Sequence, residues 1–209
     1  MKSSPNNRIN AIMSALLAAH ADAQQLSRSS LNRMPEFFMA VRVADYFAAH
    51  FRNFHYRLEA QVKRTFEASD MPAEEVEKLL QDSDLRPDGR FDLVLQTSKK
   101  GTTAHILEFK RGDTMRGLIS DIRRLAKVCA YADRHSLQTN YLVLTRSCPS
   151  ERDTTDRLVE RINTALDEID LGHIGINVVC SEKLEPYLNR DHQPVANRAF
   201  QIVVLEVQR

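Results

Sequence analysis

The stretch that most constrains how this chain can fold runs from Arg86 to Arg111, RPDGRFDLVLQTSKKGTTAHILEFKR. Residues 90–97 and 103–110 are rich in β-branched and large apolar side chains. Ser98 to Thr102 between them has the Lys and Gly content of a tight turn, so the segment predicts a β-hairpin. Side chains alternate along a strand, which puts Phe91, Leu93, Leu95, Leu107 and Phe109 on one face and Asp92, Val94, Glu108 and Lys110 on the other. The first face is the core face. His105 shares it by parity, where a satisfied buried or edge histidine is the expected reading. With the turn centred near Lys100, residue numbers facing each other sum to about 200, and Asp92 stands opposite Glu108 with Cβ atoms about 5 Å apart.

Two carboxylates opposed on a half-buried surface destabilise each other unless a divalent cation reverses the sign of their interaction. Oxygen-only donors select Mg²⁺ or Mn²⁺ over Zn²⁺, so Asp92 and Glu108 are the candidate metal ligands. Lys110 lies two residues beyond Glu108 on the same face. Beside such an ion it would position a hydrolytic water, or screen the charge that builds on a phosphate in the transition state.

An acid on one strand, Glu108-Phe109-Lys110 on the next and a helix behind them resemble the signature of the PD-(D/E)xK, or restriction-endonuclease-like, nuclease superfamily. The resemblance covers about Pro35 to Arg146. It implies an α/β fold with an αβββαβ core, a mixed central sheet flanked by helices, and metal-dependent cleavage of nucleic acid, usually DNA. One departure matters: Phe91 precedes Asp92, and the literal Pro-Asp pair, Pro87-Asp88, lies four residues upstream. Asp88-Gly89 reads as a turn dipeptide, so Asp92 is taken as the first acid and Asp88 held in reserve. The resemblance also gives Glu36, at the start of the first core helix, a place in the site. An acid complementing the helix dipole is the equally open alternative.

At 209 residues the chain fits one domain, with an N-terminal helix over about 8–25, a core over about 33–146 and a sheet extension over about 147–209. Ile9, Ile12, Met13, Leu16 and Leu17 have helical spacing, on a helix that packs either on the domain or on a second subunit. Pro35 to His50 predicts a helix, and alternation from Phe54 to Phe66 a strand with one wet face. Residues 67–85 read as a charged insertion with a short helix at Ala73 to Leu80, either a lid or a solvated surface segment.

Arg111-Gly112-Asp113 signals a helix running from about Thr114 to Arg134. Arg116, Arg123, Lys127 and Arg134 fall on one line of it, opposite Met115, Ile119, Ile122, Leu125, Ala126 and Cys129. That line reads as a phosphate track or as an ordinary solvated face. Arg124 flanks the buried side, and in the resembled family such a residue points back to the active site. Arg111, Arg116, Arg124 and Lys127 are therefore the candidate nucleic-acid contacts. Tyr141 to Leu144, Ile174 to Val179 and Ile202 to Val207 predict strands, residues 151–169 a helix with Leu158, Ile162, Leu166 and Ile169 buried, and Glu182 to Tyr187 a helical turn.

A net charge of +1 excludes no class of partner. Three cysteines without a Cys-x-x-Cys spacing point to a reducing, cytoplasmic setting, and no apolar run is long enough for a membrane span. Scattered histidines make zinc a poor fit, and neither a nucleophile elbow nor a phosphate loop is present. The expectation is a Mg²⁺-dependent deoxyribonuclease, taken as an endonuclease and as a homodimer by analogy, with RNA left open as substrate. Its rival is a catalytically inactive protein of the same fold, serving as a nucleic-acid-binding or scaffold module.

Overall fold

A computed structural model describes residues 4–112, 114–132, 136–166 and 173–209. Helix α1 spans Pro5–Ser27, started by Ser4, whose hydroxyl accepts the Asn7 N–H at 3.3 Å, and ended by Arg28 in a left-handed conformation. Helix α2 spans Glu36–His50, with Pro35 in the extended position before it. Strand β1 (Phe54–Gln61) leads through two short helices, α3 (Val62–Glu67) and α4 (Ala73–Gln81), to the hairpin of β2 (Arg90–Thr97) and β3 (Thr103–Arg111). Then follow α5 (Met115–Ala132), β4 (Thr139–Pro149), α6 (Thr155–Leu166), β5 (Gly175–Leu184) and β6 (Arg198–Gln208).

All six strands join one mixed sheet in the order β1-β2-β3-β4-β6-β5. Only β3 and β4 run parallel, and α5 is the crossover that a parallel pair needs. Two apolar clusters fill the two faces. On one, α1 and α2 cover Leu93, Leu95, Leu107, Phe109, Tyr141 and Val143; on the other, α3, α4, α5 and α6 cover Val94, Ile106, Leu142, Leu144 and Val203. The hairpin register is the one its turn predicts. Leu93 faces Leu107 and Leu95 faces His105, and only beyond Leu95 does a bulge shift the pairing to Gln96 and Thr103. Gly101 takes a φ of +66° in the turn, where a Cβ would be strained.

Several expectations need correction. The strand from Phe54 ends at Gln61, because Val62 and Phe66 bury themselves as the first turns of α3 instead of continuing the edge. Residues 67–85 are not solvated throughout: Met71, Val76, Leu79 and Leu85 are buried in the core beside α5, while most of the segment's other residues are exposed. Glu182 to Tyr187 makes no helical turn, since β5 continues to Leu184 in register with Phe200 of β6. Helix α1 packs on α2, β5 and β6 of its own chain, where the Arg8 Nε–H donates to the Tyr141 hydroxyl at 3.0 Å. Phe91 does not share a face with Leu93 but belongs to the opposite cluster, as does Ala60 relative to Leu58. Asp113, Arg134 and Ile169, each given a part in the predicted helices, lie outside the described residues.

Candidate active site

The exchange of faces at Phe91 and Ala60 has a local cause. Glu59, between Leu58 and Ala60, has a φ of +48°, a left-handed conformation that costs a non-glycine residue on the order of 1 kcal/mol. The paired ends of β1 and β2 turn there, so Phe91 swings under α5 while Asp92 stays at the edge of the β3 ladder. Irregular strand positions that re-aim a side chain in this way concentrate near functional sites. Phe91 then becomes a platform: the Arg124 guanidinium lies 4.1 Å from its ring centroid, and Phe66 meets its edge.

Past Leu93 and Leu107 the hairpin parts, and carboxylates take over from the backbone ladder. Asp92 Oδ2 accepts the Phe109 N–H at 2.7 Å, and Glu108 Oε2 accepts the Asp92 N–H at 3.4 Å. The two acids meet just past the last ladder pair, Leu93 with Leu107. Glu108 and Lys110 lie beside Leu142 and Leu144 of β4, which places them on the α5 side of the sheet.

Helix α5 supplies the countercharges. Arg124 Nη1 donates to Glu108 Oε1 at 2.7 Å and to the Arg90 carbonyl at 3.1 Å, and Arg124 Nε donates to the Leu85 carbonyl at 3.2 Å. Asp121, one turn earlier on the same face, holds the Lys110 ammonium at 2.8 Å. Glu36 closes the site from α2, accepting the Arg111 N–H at 2.6 Å and so tying the start of that helix to the end of β3.

These contacts set the protonation states. Burial raises the Glu108 carboxyl well above its usual range, and the nearby Asp92 and Asp121 charges add to this against the pull of Arg124. Asp92 is raised in the same direction, mainly by burial, with its bond from Phe109 opposing. Burial by itself would lower Lys110, but the bond and charge of Asp121, with Glu36 and Glu108, outweigh it and hold the ammonium above its usual value. Lys110 is thus a fixed cation at neutral pH. Glu108 is buried and Asp92 half-buried, and both carboxyls are shifted towards their neutral forms.

The structure brings Asp92, Glu108, Lys110, Glu36 and Arg124 into one cluster. Asp88 stays in an exposed turn. Arg111 adjoins the cluster through its backbone while its side chain is exposed. Arg116 is exposed and lines a separate cleft with Asp84, Ile119 and Arg123, and Lys127 is bound to Asp82 and Asp84 at 2.7 and 2.6 Å. The predicted basic line is therefore partly neutralised by its own neighbours. Sequence reasoning missed Asp121, although the signal used for Arg124 applies to it: a charged residue about 60° away on the same flank of the apolar face. Glu59 carried no sequence signal, because it is neither Gly nor Asn nor Asp, the residue types that usually mark a left-handed backbone.

Among the described residues no group of three or more His, Cys, Asp or Glu side chains could cage a metal. Asp92 and Glu108 form a two-carboxylate, all-oxygen donor set. That set fits Mg²⁺, which takes one or two carboxylates and completes its shell with water and substrate oxygens. Among the described residues, no helix is long and apolar enough to cross a membrane. No family model matches this chain, no curated protein matches it, and no solved structure matches it.

Proposed function

We propose that this chain is a Mg²⁺- or Mn²⁺-dependent nuclease that hydrolyses phosphodiester bonds in DNA. The observation that carries the reading is the meeting of a half-buried Asp92 and a buried Glu108 at the open end of the hairpin, with the Lys110 ammonium two residues beyond Glu108. Apart from α3 and α4, which intervene between β1 and β2, the succession α2, β1, β2, β3, α5, β4 follows an αβββαβ order, which supports the resemblance to the PD-(D/E)xK superfamily. Asp92 and Glu108 would hold the ion, which when bound lowers the pKa of a water and draws charge from a phosphoryl oxygen.

The chain's own residues supply orientation and charge. Asp121 pins the Lys110 ammonium, so Lys110 donates hydrogen bonds to the attacking water or to a non-bridging phosphate oxygen. Arg124 fixes the Glu108 rotamer through Oε1, and Glu36, anchored on the Arg111 N–H, adds a further acid at the mouth of the site.

One observation favours the second reading, a fold of this type without catalysis. Arg124 already places a guanidinium on Glu108, and a protein with no use for a metal could keep the acids soluble in the core by that pair alone. The test is incubation of purified protein with linear, circular and single-stranded DNA and with RNA, in Mg²⁺, Mn²⁺ or EDTA, beside Lys110→Ala. Metal-dependent cleavage lost in the variant supports the nuclease. Equal cleavage by both proteins sinks it, and DNA binding with no calorimetric signal for Mn²⁺ leaves the second reading.

A further inference from the structure

Beside the acidic cluster, at the same end of the sheet, lies a cleft of about 690 Å³ that the predicted mechanism does not use. It is lined by Arg146, Arg152, Arg157, Arg161 and Arg198, together with Asp153, Asp156 and Glu160. Five guanidiniums against three carboxylates leave it positive. Asp153 is engaged internally, accepting the Thr155 N–H and hydroxyl at 2.9 and 2.7 Å and the Gln201 amide at 3.3 Å. Arg152 and Arg157 are exposed and form no ion pair with any described residue.

Register fixes where the cleft sits. Lys110 pairs beside Leu144 on β4, and Arg146 is two residues further along the same face, about 8 Å away by strand spacing and rise. Arg146 is buried and held in place: its Nε and Nη2 donate to Gln201 Oε1 at 3.0 and 2.7 Å, and its Nη2 to the Thr154 hydroxyl at 2.6 Å. The buried Gln201 is locked in turn by Thr155 and Ser181 at 2.6 and 3.2 Å. Gln201 and Thr154 thus hold the Arg146 guanidinium in one orientation at the cleft wall. Arginine forks match phosphate oxygens in geometry as well as charge.

We infer that this cleft carries the sugar-phosphate backbone of the bound nucleic acid away from the scissile phosphate, with Arg152 and Arg157 as direct phosphate contacts and Arg146 as the preset guanidinium between them and Lys110. The ligand class rests on the nuclease reading, but the test does not. Binding of a fluorescent DNA oligonucleotide is measured in EDTA across a salt series for the wild type, for Arg152→Ala/Arg157→Ala, and for Lys99→Ala/Lys100→Ala. The last pair removes the same charge from the exposed hairpin turn.

The cleft variant is expected to bind about tenfold more weakly, with a slope of log affinity against log salt flatter by about 2, while the turn variant keeps the wild-type slope. An unchanged slope in the cleft variant, or an equal change in the turn variant, overturns the inference. So does wild-type binding to phosphatidylserine vesicles but not to the oligonucleotide. Cleavage with an unaltered slope would remove the cleft and leave the nuclease; a flattened slope in a protein that never cleaves would do the reverse.

Discussion

The two ends of one hairpin handle polar groups in opposite ways. At the turn end His105 faces Leu95 and is enclosed by the rings of Phe54 and Tyr141, with Nδ1–H donating to the Thr139 carbonyl at 2.7 Å. Burial pushes its pKa down to about 4, so it stays neutral. At the open end Asp92 and Glu108 sit in a similarly dry place and face Arg124 and Lys110. The strands are the same, and the covering helices differ. The α1 and α2 side offers His105 aromatic rings and the Arg8 cation, both of which favour an uncharged imidazole. Helix α5 offers Arg124 and Asp121 at one-turn spacing, so charge can be retained. Buried charge survives where a neighbouring element brings an opposite charge and the ladder stops to make room.

The sharpest way to break this contrast is at Lys110. Lys110→Ala is expected to lower metal-dependent cleavage by at least about 10²-fold while leaving the circular dichroism spectrum near that of the wild type, with the melting temperature lowered because the buried Asp121 carboxylate loses its partner. A variant that cleaves normally would mean the open end has no chemistry to protect. Arg124→Met keeps bulk over Phe91 but strips Glu108 of its counter-ion. It should destabilise the fold by about 3 kcal/mol or more at neutral pH by urea titration. That loss should shrink towards pH 4, since Glu108 is then protonated in folded and unfolded chains alike.

The turn end carries the opposite sign. The folded state resists protonating His105, so its stabilising contribution is complete above about pH 6.5 and is lost as the pH falls towards 4, amounting to about 3 kcal/mol. His105→Gln should flatten that part of the stability profile, and a profile that keeps its slope would refute the neutral burial of the ring. Smallest of all, Lys127→Ala should cost no more than about 1 kcal/mol, since the Asp82 and Asp84 pairs it makes are partly exposed. A larger loss would show that the basic side of α5 is structural in a way its exposure does not indicate.

The amino-acid sequence alone determined the hairpin and its register from Leu93 with Leu107 to Leu95 with His105, because strand parity and a five-residue turn leave little freedom once the apolar face is known. It also marked Arg124, through its position on the flank of an amphipathic helix. Only the tertiary structure decided which face Phe91 takes, because that depends on a left-handed residue, Glu59, on a different strand. Packing likewise decided that Lys110 is held by Asp121 and that Lys127 is bound by Asp82 and Asp84, since charge pairing follows which elements pack together and not spacing along the chain. Local periodicity is written into consecutive residues, whereas the partner of a charge is settled by contacts between segments far apart in sequence.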